Sequence, residues 1–515
     1  ACEEHLPGYM VPTHFLPIQR IPLSVNNKVE EKLLRQLYAD MPATTLQTYA
    51  VQADSQRPLS DGEKKVSKVL AELLKIEVDD LKPSSNIFTL GLNSISAIQL
   101  SRKLKASGFA NAQVATILKN SSISKLAKAL ATSTDQTDGE IADARQTISA
   151  CRQKHLGTVT RVLRCKVDDI EAIVPCTPLQ QGIISRSLAS ETCLYFNTFR
   201  YGVQGVDLAK LEKAFNEALA RTQILRTFFV ETDDGYVQAV RKTGHLPWWT
   251  LEVYDLASVD SVFAKRKQKW RSYNTAHLTV PFEIVIVRSG SETFLSVDMH
   301  HALYDGNSFD MLMNNVSKLY NSEEADFGKS FVDCLPFGPL RNVQGAKKFW
   351  LDHLSDVDPT AMKSVTDRKT DRDVLCTASL GVLQQVDELR RSLGVTIQAL
   401  VQACWIATLR KYHHGAVGTV VSGRSIDFDG IENVIGPLFN TIPFYLRCES
   451  GDSWKTLVQR CHEFNTAALP YQHTPLRDIM KWCNKGRSEP LFDTLFVFQG
   501  ALDSSTTNTS ILIPQ

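Results

Sequence analysis

The chain has 515 residues, too many for one hydrophobic core and enough for about three units. Lys and Arg number 57 against 56 Asp and Glu, so no broad basic face for nucleic acid or an anionic membrane is indicated. Hydrophobic residues make up 43% and charged residues 22%, no apolar run is long enough to span a bilayer, and no leader pattern opens the chain, which reads as a soluble globular protein. The 11 cysteines are odd in number and lack metal-type pairing, which fits reduced thiols in a cytoplasmic protein better than a disulfide framework.

In chain order, residues 1–40 lack the patterning of a complete domain; they contain Leu6-Pro7-Gly8-Tyr9-Met10-Val11-Pro12 and then Asn26-Asn27-Lys28-Val29. Residues 41–57, rich in Ala, Thr, Gln and Ser, read as a linker. Over 58–132 the pattern turns helical. Ser60 and Glu63 have capping-box spacing, and Val66, Val69, Leu70, Leu73 and Leu74 share one helix face. Ser94 opens a second helix bearing Ala97, Leu100 and Leu104, and Ile123, Leu126, Ala127 and Leu130 mark the last one. The expected assembly is a four-helix bundle with a long loop between its first two helices. A polar stretch from 132 to 143 opens a linker that runs over 133–167. From 168 to 515 strand and helix patterns mix. Two strand-like runs, 281–288 and 293–299, flank Ser289-Gly290-Ser291-Glu292 and predict a hairpin. Phe309, Leu312, Met313, Val316 and Leu319 form a helix face just beyond.

Two constellations can carry chemistry. Ser94 stands at a helix start, where unpaired backbone N–H groups and the positive dipole end suit a phosphodiester-linked arm. Taken alone, a serine there is most often a plain cap. The second is Met299-His300-His301-Ala302-Leu303-Tyr304-Asp305-Gly306, two histidines at the end of an apolar run followed by an aspartate and a glycine. On a strand, Leu295, Val297 and Met299 share one side with His301, while Ser296 and Asp298 share the other with His300. Only one histidine can then face a channel, and periodicity does not say which. Taken alone, such a pair is more often structural.

The wider context resembles a nonribosomal peptide synthetase. The pattern His-His-x-x-x-Asp-Gly at His300, His301, Asp305 and Gly306 resembles the active-site motif of its condensation domains. Residues 173–182, 221–229 (with Thr222 in place of the family's histidine), 435–441 and 490–499 resemble further motifs of that family in the same order. Asn86-Ile87-Phe88-Thr89-Leu90-Gly91-Leu92-Asn93-Ser94 resembles the carrier pattern Phe-x-x-Leu-Gly-Gly-Asp-Ser, with Leu92 and Asn93 replacing Gly-Asp. Residues 1–40 resemble the end of an adenylation domain, with Asn27 replacing a glycine. Lys28 matches that family's acyl-adenylate contact but, without the rest of the domain, reads as a solvated surface lysine.

The resemblance implies a multidomain chain: an adenylation-domain remnant (1–40), a peptidyl carrier (58–132), a linker (133–167) and an α/β condensation domain (168–515) shortened at its C-terminus. The last would comprise two chloramphenicol-acetyltransferase-like lobes around a tunnel. It implies 4′-phosphopantetheine bound covalently to Ser94. It makes His301 the catalytic position, with His300 and Asp305 supporting. Gly306 would allow close backbone approach, and the helix beginning there could help polarise an oxyanion. Arg424, in Val421-Ser422-Gly423-Arg424, would pair with Asp305; without the family it reads as an ordinary surface arginine. The implied activity is acyl transfer, an acceptor amine attacking an aminoacyl or peptidyl thioester to form an amide. His301 would act as base, positioner or stabiliser, three roles that sequence does not separate. Implied partners are the upstream adenylation domain, a downstream carrier and a phosphopantetheinyl transferase. Tyr304, Asn307 and Ile95-Ser96-Ala97-Ile98-Gln99-Leu100 resemble fungal synthetases, siderophore-making ones among them, which offers a rival reading: terminal release by cyclisation or ester formation. A third reading, a non-catalytic docking platform for carriers, is opposed by the intact histidine motif.

Overall fold

The reciprocal cap read from the sequence forms. In the computed structural model the Ser60 hydroxyl accepts from the Glu63 N–H (3.4 Å), and the Glu63 carboxylate accepts from the Ser60 N–H (2.7 Å). Hydrogen bonding from Arg57 holds the Glu63 carboxyl down to about 2, below the usual carboxylate range. The structure describes residues 57–499 except 93, 110–111, 133–136, 204, 256, 291, 358–375, 378–382, 410–415, 448–450, 484–490 and 493, together with 22, 29, 30, 34, 36, 37, 513 and 514. Almost all of 1–40 and 41–57, Lys28 included, and also Asn93, lie outside the described residues.

Four helices follow the cap: α1 (Asp61–Leu74), α2 (Ser94–Ala106), α3 (Val114–Lys119) and α4 (Ile123–Thr132). Val66, Leu70, Leu92, Leu100, Ile117 and Leu126 are fully buried among them, so the expected bundle has its own core. The next segment departs from expectation. Most of the stretch read as a linker is α5 (Thr137–Leu163), a helix of 27 residues. Its composition is polar because only a narrow stripe is covered. Ala144, His155 and Val159 are buried, and Val159 joins Ile170, Ile173, Val230, Val237 and Ala239 in one cluster.

The rest is α/β. β1 (Ile170–Pro175), β3 (Thr227–Thr232) and β4 (Gly235–Arg241) form a small antiparallel sheet in the order β1-β4-β3, with α6 (Pro178–Ala189) between the first two strands in sequence. A larger sheet uses β2 (Phe196–Gly202), β5 (Trp248–Val253), β6 (Phe282–Ser289), β7 (Glu292–His300) and the short β11 (Ile513–Pro514), in the order β11-β2-β7-β6-β5. The predicted hairpin is β6–β7, closing at Ser289 opposite Glu292. Both faces of β6 are buried, which explains its unbroken apolar run. Ile284 and Ile286 pack with residues of α7 (Leu208–Arg221) and α9 (Gly306–Tyr320). Val285 and Val287 pack under Val259 and Phe263 of α8 (Ala257–Tyr273).

The second lobe contains α10 (Ala346–His353), α11 (Leu383–Leu393), α12 (Ile397–Leu409), β8 (Val417–Val421), β9 (Asn440–Phe444), α13 (Trp454–Ala468), α14 (Leu476–Cys483) and β10 (Leu495–Val497). Its sheet runs β10-β8-β9, and its core gathers Trp350, Ala399, Phe444, Cys461 and Ile479. Among the described residues no single helix is long and apolar enough to cross a membrane.

Candidate active site

β7 ends at His300, so the two histidines do not continue as one strand. His300 keeps the strand's register opposite Phe196 and is fully buried. Its Nδ1 accepts from the Ala302 N–H at 3.1 Å, and its ring lies over Trp270, which in turn stacks on Phe196. Burial pushes the His300 imidazole down to about 3. It is therefore a neutral, load-carrying part of the wall.

His301 lies in the turn after β7 and is only half-buried. Its N–H donates to the Tyr195 carbonyl at 2.8 Å, and its Nδ1 lies 2.9 Å from the Tyr304 carbonyl oxygen. A carbonyl can only accept, so Nδ1 carries the proton and Nε2 of the neutral ring keeps a lone pair. Both ring faces are covered. Tyr304 stacks on one side at 4.7 Å between centroids and Phe439 on the other at 4.8 Å. Tyr304 is buried, its hydroxyl accepts from the Asn197 amide at 2.5 Å, and burial pushes its phenol up to about 12. The histidine that sequence periodicity left undecided is thus settled in geometry: His301, not His300, offers an accessible ring edge.

Asp305 does two jobs. It is the N-cap of α9, accepting from the Ser308 N–H at 2.7 Å. It also crosses to the second lobe, where Arg424 Nη2 donates to both carboxylate oxygens at 3.0 and 3.1 Å and the Leu438 N–H donates at 3.1 Å. The expected Arg424–Asp305 pair forms, and both residues are buried. One nitrogen straddles both oxygens, in place of the two-pronged fork, because Arg424 Nη1 is used by the carbonyls of Ile431 and Val434 at 2.9 and 3.0 Å. Gly306 is exposed at the helix start, and a Cβ there would come within 3.3 Å of the Gln499 side chain, a tight approach.

The other sequence motifs either reach the site or brace the sheets around it. Thr177 and Gln180 cap α6 reciprocally, which leaves the Gln180 amide to donate to the Ala302 carbonyl at 2.9 Å. Arg226 is buried against Glu171 at 2.5 Å and braces the small sheet. Asn440 donates to the carbonyls of Gln472 and Thr474. Sequence reasoning gave no role to Phe439, Tyr304, Asn197 or Gln180. Phe439 and Gln180 lay inside motifs already picked out, but their partners are more than 100 residues away. Ser94 is the first residue of α2 and is not brought to the histidines by any contact among the described residues.

A helix start suits a phosphopantetheine arm, and Ser94 stands at one. It opens a helix of 13 residues, and the preceding Gly91, at φ +113°, has open space where a Cβ would stand. Residues 64–130 match the phosphopantetheine attachment site family, and residues 170–512 match the condensation domain family. Over 513 residues the chain is 39% identical to nonribosomal peptide synthetase 2 of Cochliobolus heterostrophus, covering 98% of this chain and 10% of that protein. It is 36% identical over 508 residues to nonribosomal peptide synthetase sidC of Arthroderma benhamiae, covering 97% of this chain and 10% of that protein. The chain thus spans about a tenth of the length of these curated relatives. Among solved structures, it is similar to the crystal structure of CT (TM-score 0.53, 19% identity, 71% of this chain and 82% of that one). It is also similar to the condensation domain of the monacolin K polyketide synthase MokA (TM-score 0.52, 16% identity, 66% and 84%). At these identities the likeness is one of fold: a helical carrier followed by an α/β domain of two chloramphenicol-acetyltransferase-like lobes.

Proposed function

We propose, from the premise that the chain belongs to the condensation domain family of nonribosomal peptide synthetases and bears a phosphopantetheine attachment domain, that it is a carrier–condensation unit with His301 as its catalytic residue and Ser94 as its attachment point. The arm on Ser94 supplies the thiol that carries an aminoacyl or peptidyl group as a thioester. An acceptor amine bonds to the thioester carbonyl carbon, the C–S bond breaks, and the amine proton passes through His301 Nε2 to the departing sulfur. The observation that carries this reading is the fixed tautomer of His301. With Nδ1 held by the Tyr304 carbonyl and both ring faces covered, Nε2 is the atom left to take a proton. The first turn of α9, at exposed Gly306 and Asn307, supports charge developing on the carbonyl oxygen. An adenylation domain upstream would load the carrier, a phosphopantetheinyl transferase would modify it, and a further carrier would present the acceptor.

The test uses the intact chain. A phosphopantetheinyl transferase with coenzyme A adds one arm by mass, and Ser94→Ala abolishes the addition. His301→Ala keeps the addition and loses amide formation by about 10²–10⁴-fold. An arm added to the Ser94→Ala protein overturns the attachment site; wild-type turnover by His301→Ala overturns the catalytic assignment.

A further inference from the structure

The second half of α2 lies against the second lobe. Arg102 forms an ion pair with Glu432 and stands 4.0 Å from Asp429, while Lys105 forms one with Asp427. The first lobe adds Lys329, 2.8 Å from Asp429. The 427–432 turn therefore presents three carboxylates, and two of their three cationic partners belong to the carrier. A second contact lies elsewhere on the same helical unit. The Phe88 ring meets His462 of α13 edge-on at 4.7 Å, Asn86 closes on Gly394, where a Cβ would come within 2.8 Å of its amide, and Leu469 packs against the bundle core. Exposed ion pairs contribute roughly 0–1 kcal/mol each, so the match is one of charge and register, suited to a contact that forms and releases.

The inner side of the same turn has another holder. Arg424 Nη1 donates to the carbonyl of Ile431, next to Glu432, and to that of Val434, while its Nη2 crosses to Asp305. Gly430, at φ +79°, bends the chain so that the carboxylates face outward and these carbonyls face the guanidinium. The turn is thus gripped from outside by the carrier and from inside by the residue that joins the lobes beside His301.

We infer that the 427–432 turn is the docking site for this chain's own carrier, and that an engaged carrier braces the Arg424–Asp305 bridge. This rests on the carrier–condensation reading above. Carrier arrival and a correctly closed catalytic seam are then parts of one contact. A condensation domain whose carrier has left loses the outer grip and keeps Lys329, Arg424, the Phe337–Phe428 ring contact and the buried Ile431 on this turn.

The experiment compares three forms of the intact chain: wild type, Arg102→Glu with Lys105→Glu, and those two changes combined with Glu432→Arg and Asp427→Lys. Arm addition at Ser94 is measured first and is expected to be equal in all three, showing that the carrier is folded. The charge-reversed form is expected to transfer its acyl group about tenfold more slowly. Backbone amides of 425–435 are expected to exchange hydrogen about tenfold faster. The four-fold charge swap is expected to restore both. Unchanged transfer and exchange in the reversed form overturn the docking site. Slowed transfer with unchanged exchange at 425–435 overturns the bracing, and failure of the swap to restore either quantity overturns the pairing. Loss of arm addition in wild type would instead sink the carrier–condensation reading itself.

Discussion

At the residue scale, the two adjacent histidines are separated by burial. His300 sits in the wall with its imidazole down at about 3, far below the ordinary 6.5. The folded state therefore binds fewer protons than the unfolded one below pH 6.5. Stability contributed by neutral His300 is full above that pH and is lost as pH falls toward 3. His353 and His473, held down to about 4 by burial, act in the same direction. Acid should thus loosen the condensation domain well above the carboxylate range. Denaturant titrations of His300→Phe and wild type at pH 7, 6 and 5 should show the variant gaining on wild type by about 1.4 kcal/mol per pH unit below 6.5. A pH-independent difference between the two would mean that His300 titrates in the fold as it does in the unfolded chain.

At the element scale, α9 is tied at its first residue to the other lobe. Asp305 caps the helix and holds Arg424, so Asp305→Ala removes the cap and strands a buried guanidinium. Breaking one side of such a pair costs about 3–5 kcal/mol. In a double-mutant cycle, Asp305→Ala with Arg424→Ala should be less destabilised than the sum of the single changes. Strict additivity in thermal melts would count against the bridge. The elements themselves were legible wherever local pattern decides: the Ser60–Glu63 cap, the β6–β7 hairpin and the apolar face of α9 all follow from spacing. α5 was not, because a helix that buries only a narrow stripe on the face of a small sheet has no strong apolar period to read. The site was legible as far as its motif residues. What covers His301, however, comes from Phe439 across the lobes, and what anchors Ala302 comes from Gln180, 122 residues away. Such pairings are set by topology, to which local propensity is blind.

At the scale of the whole molecule, the segment 422–439, which carries Arg424 across to Asp305, is pinched where it leaves and rejoins the second lobe's sheet, at Gly423. This glycine has φ +69°, and a Cβ there would lie 1.7 Å from the Leu438 carbonyl oxygen. No side chain fits without parting the two ends of that segment, just past β8 and just before β9, which carry Arg424 and Phe439. Gly423→Ala should therefore disturb the Arg424–Asp305 bridge between the lobes, lowering the melting temperature and slowing amide formation together. A variant with native melting and native activity would show that the two ends tolerate this displacement.

The long helix α5 sets how far the carrier can travel. It is about 40 Å long, and Glu140 pairs with Arg341 at 3.3 Å near one end while His155 meets Asp234 at 3.0 Å toward the other. It therefore behaves as a spoke fixed to the lobes. Only residues 133–136 separate it from α4, a contour of at most about 17 Å. A carrier only four residues in sequence from a helix fixed to the lobes has an effective concentration at its own condensation domain of millimolar order or above. A docking patch with an intrinsic affinity that weak is then occupied much of the time, yet lets go readily. A free carrier at micromolar concentration, even with the same face, would seldom displace it.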